Sequence, residues 1–193
     1  MQPTPAPDPR LFKTKRAWAA WLRRNHLKSE GIWLQIAKKS AVSPSITHAE
    51  ALDVALCYGW IDAQKKPLSD DYWLERFMPR SPKSIWSKIN RQKAEALIAA
   101  GEMMPAGLAA IEQAKQCGRW DTAYDSPAAA SVPTDLQAAL DANPQAKAFF
   151  ATLDKANRYA ILWRIQTVKK AETRARKITQ FLAMLERHEK IHN

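Results

Sequence analysis

The hydrophobic pattern of this chain changes period once. Alternation with a period of two is confined to residues 31–79, and beyond Pro82 apolar residues recur at spacings of three and four with no alternating run thereafter. Strands pair with other strands, so an early cluster of strands followed only by helices predicts a small antiparallel sheet packed on helices, then an all-helical C-terminal half: an α+β chain. The strands are expected at 31–38, 60–67 and 72–79, with helices at 14–26 and 46–58 against them. The run SITHAE carries Thr47 and Glu50 three residues apart, the capping-box spacing. WIDAQKKP and YWLERFMP flank a polar SDD and read as a hairpin. Pro67 and Pro79 suit strand ends rather than a central ladder.

Beyond the hairpin, Ser81-Pro82 reads as a cap and first-turn proline. It starts a helix that runs to Ala100 and turns Ile85, Ile89 and Leu97 inward. Further helices are expected from Pro105 to Gly118, and from about Thr134, Asn143-Pro144, Asp154 and Lys170. In the last, Ala171, Ala175, Ile178, Leu182 and Leu185 make the apolar stripe. The organisation expected is a flexible tail at 1–13, an α+β domain at 14–123, a Pro/Ser/Ala-rich linker at 124–135 and a helical module at 136–193.

The formal net charge of +11 over 193 residues favours anionic partners. Two cysteines, Cys57 and Cys117, make no metal-type pair and imply a reduced compartment. The proline-rich start has no apolar signal core and no apolar run is long enough to span a bilayer, so the expected location is the cytoplasm. Five glycines, none in a phosphate-loop pattern, leave no Rossmann or P-loop fingerprint.

Few residues carry obvious chemistry. HEKIH, residues 188–192, has zinc-protease spacing, but the chain stops one residue later, and a solvated tail is expected. Cys57 reads as a small buried thiol. His26 and His48 have no partner evident in sequence. No catalytic residue, metal ligand or cofactor is therefore assigned. What stands out is the stretch from Cys57 to Arg91, dense in tryptophan and without an acid between Arg76 and Ala94. Planar aromatic and guanidinium groups stack on rings, and asparagine offers paired donors and acceptors. The candidate ligand-binding residues are Trp60, Asp62, Arg76, Arg80, Lys83, Trp86, Asn90 and Arg91, with a helix N-terminus near Ser84 adding backbone donors. Trp60 and Asp62 would share one side of a strand, and Asp62 would pair with Arg76 across the hairpin.

ITHAEALDVALCYGWIDAQ, YWLERFMPRSPKSIWSKINR and GEMMPAGLAAIEQAK with GRWD resemble the bacterial YdeI/OmpD-associated family. The segment from VPTDLQAAL to ITQFLAML resembles its small helical OmpD-associated module, and the N-terminal part is similar to the YjbR/CyaY-like class. Relatives of this kind usually carry a glycine where this chain has His188. The resemblance implies a role in bacteriocin or antimicrobial-peptide protection and supplies no catalytic residues. The expectation is thus a non-enzymatic cytoplasmic binding protein, taking an anionic small molecule or acidic protein surface and binding nucleic acid weakly and non-specifically. The alternatives are a single-stranded nucleic-acid binder and an enzyme using Asp62.

Overall fold

The computed structural model describes residues 8–192. It separates into two compact units, one comprising residues up to Ile85 with Asn90–Asp121, the other Trp86–Ile89 with the chain from Thr122. The first unit contains helix α1 (Lys15–Asn25), strand β1 (Ile32–Ala37), helix α2 (His48–Cys57), strands β2 (Trp60–Pro67) and β3 (Tyr72–Pro79), most of helix α3 (Lys88–Ala99) and helix α4 (Pro105–Gln116). The second holds helices α5 (Thr134–Asp141), α6 (Pro144–Thr152), α7 (Lys155–Gln166) and α8 (Ala171–Glu186). This is the α+β arrangement expected from the single change of period.

The sheet is antiparallel, in the order β1-β3-β2. Its register gives each face a distinct chemistry. Ile32, Leu34 and Ile36 of β1 stand opposite Phe77, Glu75 and Trp73 of β3. In β2, Trp60 and Asp62 pair with Pro79 and Phe77 on that same face. The register then shifts at Ala63, a bulge, so that Lys65 and not Gln64 lies opposite Glu75.

Helices α1 and α2 cover this face. Trp18 of α1 is fully buried. It stacks on Trp21 and meets Phe77 and Trp60 at centroid distances of 5.8 and 6.4 Å. Each indole N–H finds a carbonyl: Trp18 donates to Ala51 and Trp60 to His26. Buried tryptophans with satisfied donors are packing residues. The predicted capping box forms: Thr47 Oγ1 accepts from the Glu50 backbone N–H, and Glu50 accepts from the Thr47 backbone N–H.

Three expectations give way. Residues 1–7 of the expected tail lie outside the described residues. Of the rest, Arg10 bridges Leu34 in parallel, exchanging backbone bonds with Trp33 and Gln35. The outer edge of β1 thereby gains partners for its free amides and carbonyls. The helix expected from Ser81 begins only at Lys88, because Ser81 and Ser84 close a local turn on themselves while Trp86 and Lys88 pair their backbones with Tyr124. This later start leaves Ile85 and Ile89 exposed, with Ala94 the buried residue. Finally, the segment expected as a linker is bonded into the second unit, where Asp125 is held by Lys88, Gln166 and Tyr159.

The second unit is built around Leu136, Leu140, Phe150, Ile161, Ile165, Ile178 and Leu185. Asn143 and Asp154 cap α6 and α7 as their positions in the sequence imply. HEKIH lies beyond α8. His188 adopts positive φ and stacks on Phe149, while the backbone of His192 bonds Asn157. The two histidines are therefore not one helical turn apart.

In the first unit α2 and α4 meet at Gly107, where an added Cβ would stand 2.4 Å from the Cys57 carbonyl oxygen and 2.8 Å from that of Leu56. Backbone yields less readily than a side chain, so Gly107→Ala is expected to destabilise by about 1–3 kcal/mol through forced separation. Leu56, only 2% exposed, is expected to cost about 2–5 kcal/mol as Leu56→Ala. Denaturant melts of both variants check this; a loss of a few tenths for Leu56→Ala would take α2 out of the core.

Candidate functional site

The expected binding residues do not converge. Trp60 is buried in the aromatic core, Trp86 is buried within the second unit, and neither presents a free ring face for stacking. Asp62 and Arg76 do not pair across the hairpin, because the register puts Asp62 opposite Phe77 and Arg76 opposite Gln64, on opposite faces of the sheet. Trp60 and Asp62 do share a face, as their spacing of two requires. Arg80 donates to the Ile85 carbonyl at 2.7 Å. Arg91 reaches the Trp120 carbonyl at 3.4 Å, and its buried Nε makes no hydrogen bond, with Glu95 Oε1 at 3.6 Å. Asn90 is half-buried beside it and Lys83 is exposed. Ser84 sits in a turn, so no helix N-terminus faces an anion there.

Two other groupings form instead. The first is polar and lies on the helix-covered face. Asp62 on β2 meets His48, the first residue of α2, with Oδ2 3.1 Å from Nε2. Glu75, on the central strand, completes a cluster whose three potential ligand atoms all lie within 4.8 Å of one another. Glu75 is 7% exposed, and its Oε2 accepts from the Trp73 indole at 3.2 Å. Burial pushes the Glu75 carboxyl above its ordinary range, opposed by the Trp73 bond and the charge of His48. The Asp62 bond raises His48 above the ordinary imidazole value, against the opposing effect of burial. Cys57 has no such environment: burial pushes its thiol up to about 11, which makes it inert.

The second grouping lies on the opposite face. There Trp33, Arg76 and Gln64 form one row across the three strands, and Gln35, Leu74 and Lys66 form the next. Lys66 Nζ stands 4.9 Å from the Trp33 ring centroid. Ala37 with Tyr72, and Ile61 with Met78, extend the surface. Apart from the strand ends, its residues include no aspartate or glutamate. At the hairpin, Lys65 lies 4.7 Å over the Trp73 ring on the covered face.

The residues read from sequence thus included Asp62 and Arg76 but missed His48, Glu75, Trp33 and Lys66. One signal was available: Trp73, Glu75 and Phe77 share one strand phase, so a carboxylate stands among inward-facing aromatics. Because the folded-state pKa of His48 is raised, its pair with Asp62 stabilises the fold below the ordinary value of 6.5, and that contribution is lost as pH rises through the folded-state value. In NMR titrations the His48 ring is expected to titrate above 6.5, and Asp62→Asn is expected to abolish the upward shift. An unchanged midpoint in that variant would mean the pair does not form.

No helix among the described residues is long and apolar enough to cross a membrane. Residues 129–188 match the family described as bacteriocin-protection, YdeI or OmpD-associated, which supports that resemblance for the C-terminal part. The YjbR/CyaY-like relation expected for the N-terminal part is not supported; residues 10–110 match a different family, described as a domain of unknown function (DUF8412). No curated protein and no solved structure matches the chain. Since the N-terminal match spans more than half of its length, the chain belongs to the DUF8412 family and carries a C-terminal part of the YdeI/OmpD-associated type.

Proposed function

We propose that this is a non-enzymatic binding protein serving in protection against bacteriocins or antimicrobial peptides, and that it docks an acidic, partly apolar protein segment on the open face of its sheet. The observation that carries the reading is the acid-free surface in which Trp33 stands opposite Arg76 and carries Lys66 over its ring. The C-terminal family match supplies the protective setting. The surplus of +11 supports an anionic partner. Two free cysteines are in keeping with a reduced, cytoplasmic location.

The face is amphipathic. Leu74, Met78 and Ile61 offer apolar area, and Trp33 offers an aromatic body of the kind that anchors interfaces. Its two cations, Lys66 and Arg76, suit one or two carboxylates. They suit a nucleic-acid strand less well. Two phosphate contacts give a salt slope of only about −1.4 for single strands, too little to hold a polyanion by charge, and one half-buried indole makes a short stacking platform. An acidic protein segment therefore fits better than single-stranded nucleic acid.

Fluorescence anisotropy with an amphipathic Glu/Leu-rich peptide and with an oligo-dT strand of about 20 nucleotides separates the two. The acidic peptide is expected to bind, with affinity lowered at least about tenfold when Lys66→Glu and Arg76→Glu are combined. Oligonucleotide binding should vanish near physiological salt. Retained peptide affinity in the double variant, or oligonucleotide binding that persists in salt, would reject the reading.

A further inference from the structure

The covered face of the same sheet carries the cluster of His48, Asp62 and Glu75. We propose that these three side chains bind a first-row divalent transition ion, Zn2+ foremost.

The ligand atoms come from three elements: His48 from the first turn of α2, Asp62 from β2 just before the Ala63 bulge, and Glu75 from the central strand. Two of these elements are strands in one ladder, so the spacing of Asp62 and Glu75 is fixed by backbone pairing. The capping box fixes the start of α2 and with it His48. Rigid elements of this kind hold a ligand set better than loops do.

The distances are near those an ion needs. Ligands about 2.0–2.2 Å from a tetrahedral zinc are about 3.4 Å from one another. The His48–Asp62 pair is already at 3.1 Å, and the whole set lies within 4.8 Å. Closure therefore asks for side-chain rotation with the strands left in place.

An ion-pair network alone accounts for His48 and Asp62. Glu75 stands outside that pair, and beyond the Trp73 bond it is opposed only by the nearby charges of His48 and Lys65. The residue is 7% exposed, its carboxylate keeps contact with solvent, and among the described residues the single hydrogen bond it receives is to Oε2 from Trp73. A buried acid normally has its acceptors filled or its charge opposed. A divalent ion does both, and with a neutral imidazole and two carboxylates the site becomes electrically neutral. The Trp73 bond then orients Glu75 from behind, as outer partners of metal ligands do. One nitrogen and two oxygens suit zinc, manganese or ferrous iron better than magnesium or calcium, which favour all-oxygen shells. Three protein ligands leave at least one coordination position for water or another donor, and His48 and Asp62, with side chains 36% and 29% exposed, open that side to solvent.

The test uses the untagged, chelator-stripped full chain titrated calorimetrically with Zn2+, Mn2+ and Mg2+. One Zn2+ per chain is expected, with Mg2+ failing to bind. His48→Ala, Asp62→Asn and Glu75→Gln should each weaken Zn2+ at least about tenfold, while His188→Ala and Cys117→Ser leave it unchanged. Should a cluster variant fail to fold, Mn2+ added to the wild-type chain still decides. Paramagnetic broadening centred on His48 and Trp73 supports the site. Broadening centred elsewhere, no zinc binding, equal binding of Mg2+, or unchanged affinity in the folded cluster variants would overturn it.

Discussion

Glu75 stands on the covered face of the central strand, and much of the first unit is arranged about that position. A carboxylate placed there must be opposed or neutralised, because the strand is paired on both sides and the face is packed by helices. Trp73 bonds it from its own strand, Lys65 lies opposite across the ladder, and His48 approaches from α2 with Asp62 beside it. The aromatic cluster of Phe12, Trp18, Trp21, Trp60 and Phe77 keeps water from the neighbouring part of the face. Polar site and apolar core are thus two ends of one layer, with Trp18, Trp21 and Trp60 at the core end and Trp73 at the polar end.

On the proposed reading the two faces of the sheet divide the labour. The covered face holds mixed charges at short range, suited to a compact cation. The other holds cations and apolar groups without acids, suited to a larger anionic partner. A strand separates these environments by the simple alternation of its side chains. Arg76, between Glu75 and Phe77 in sequence, therefore belongs to a different chemical environment from either neighbour.

Much of the architecture was legible because it rests on local signals. The capping box, the caps at Asn143 and Asp154, the hairpin and the stripe of the last helix all depend on residues close in sequence. The start of α3 was not, because Trp86 and Lys88 take their backbone partners from Tyr124, far along the chain. The site was obscured for the same reason. The sequence places Asp62 with Trp60 but says nothing of His48, fourteen residues earlier, until α2 is laid on the sheet. The dense run of cations and tryptophans drew attention to residues that the ladder distributes over two faces and two units.

The bulge at Ala63 bears on how the hairpin can change over generations. Asp62 pairs with Phe77, and the next paired residue, Gln64, meets Arg76, its neighbour on β3. Deleting Ala63 leaves each of these pairings in register, and losing Gln64 would do the same with Ala63 opposite Arg76, whereas losing Lys65 would either carry Lys66 to the other face or set Gln64 opposite Glu75. Length variation in this hairpin is therefore tolerable at the bulge between its two chemistries, and an aligner of related chains should find the gap there.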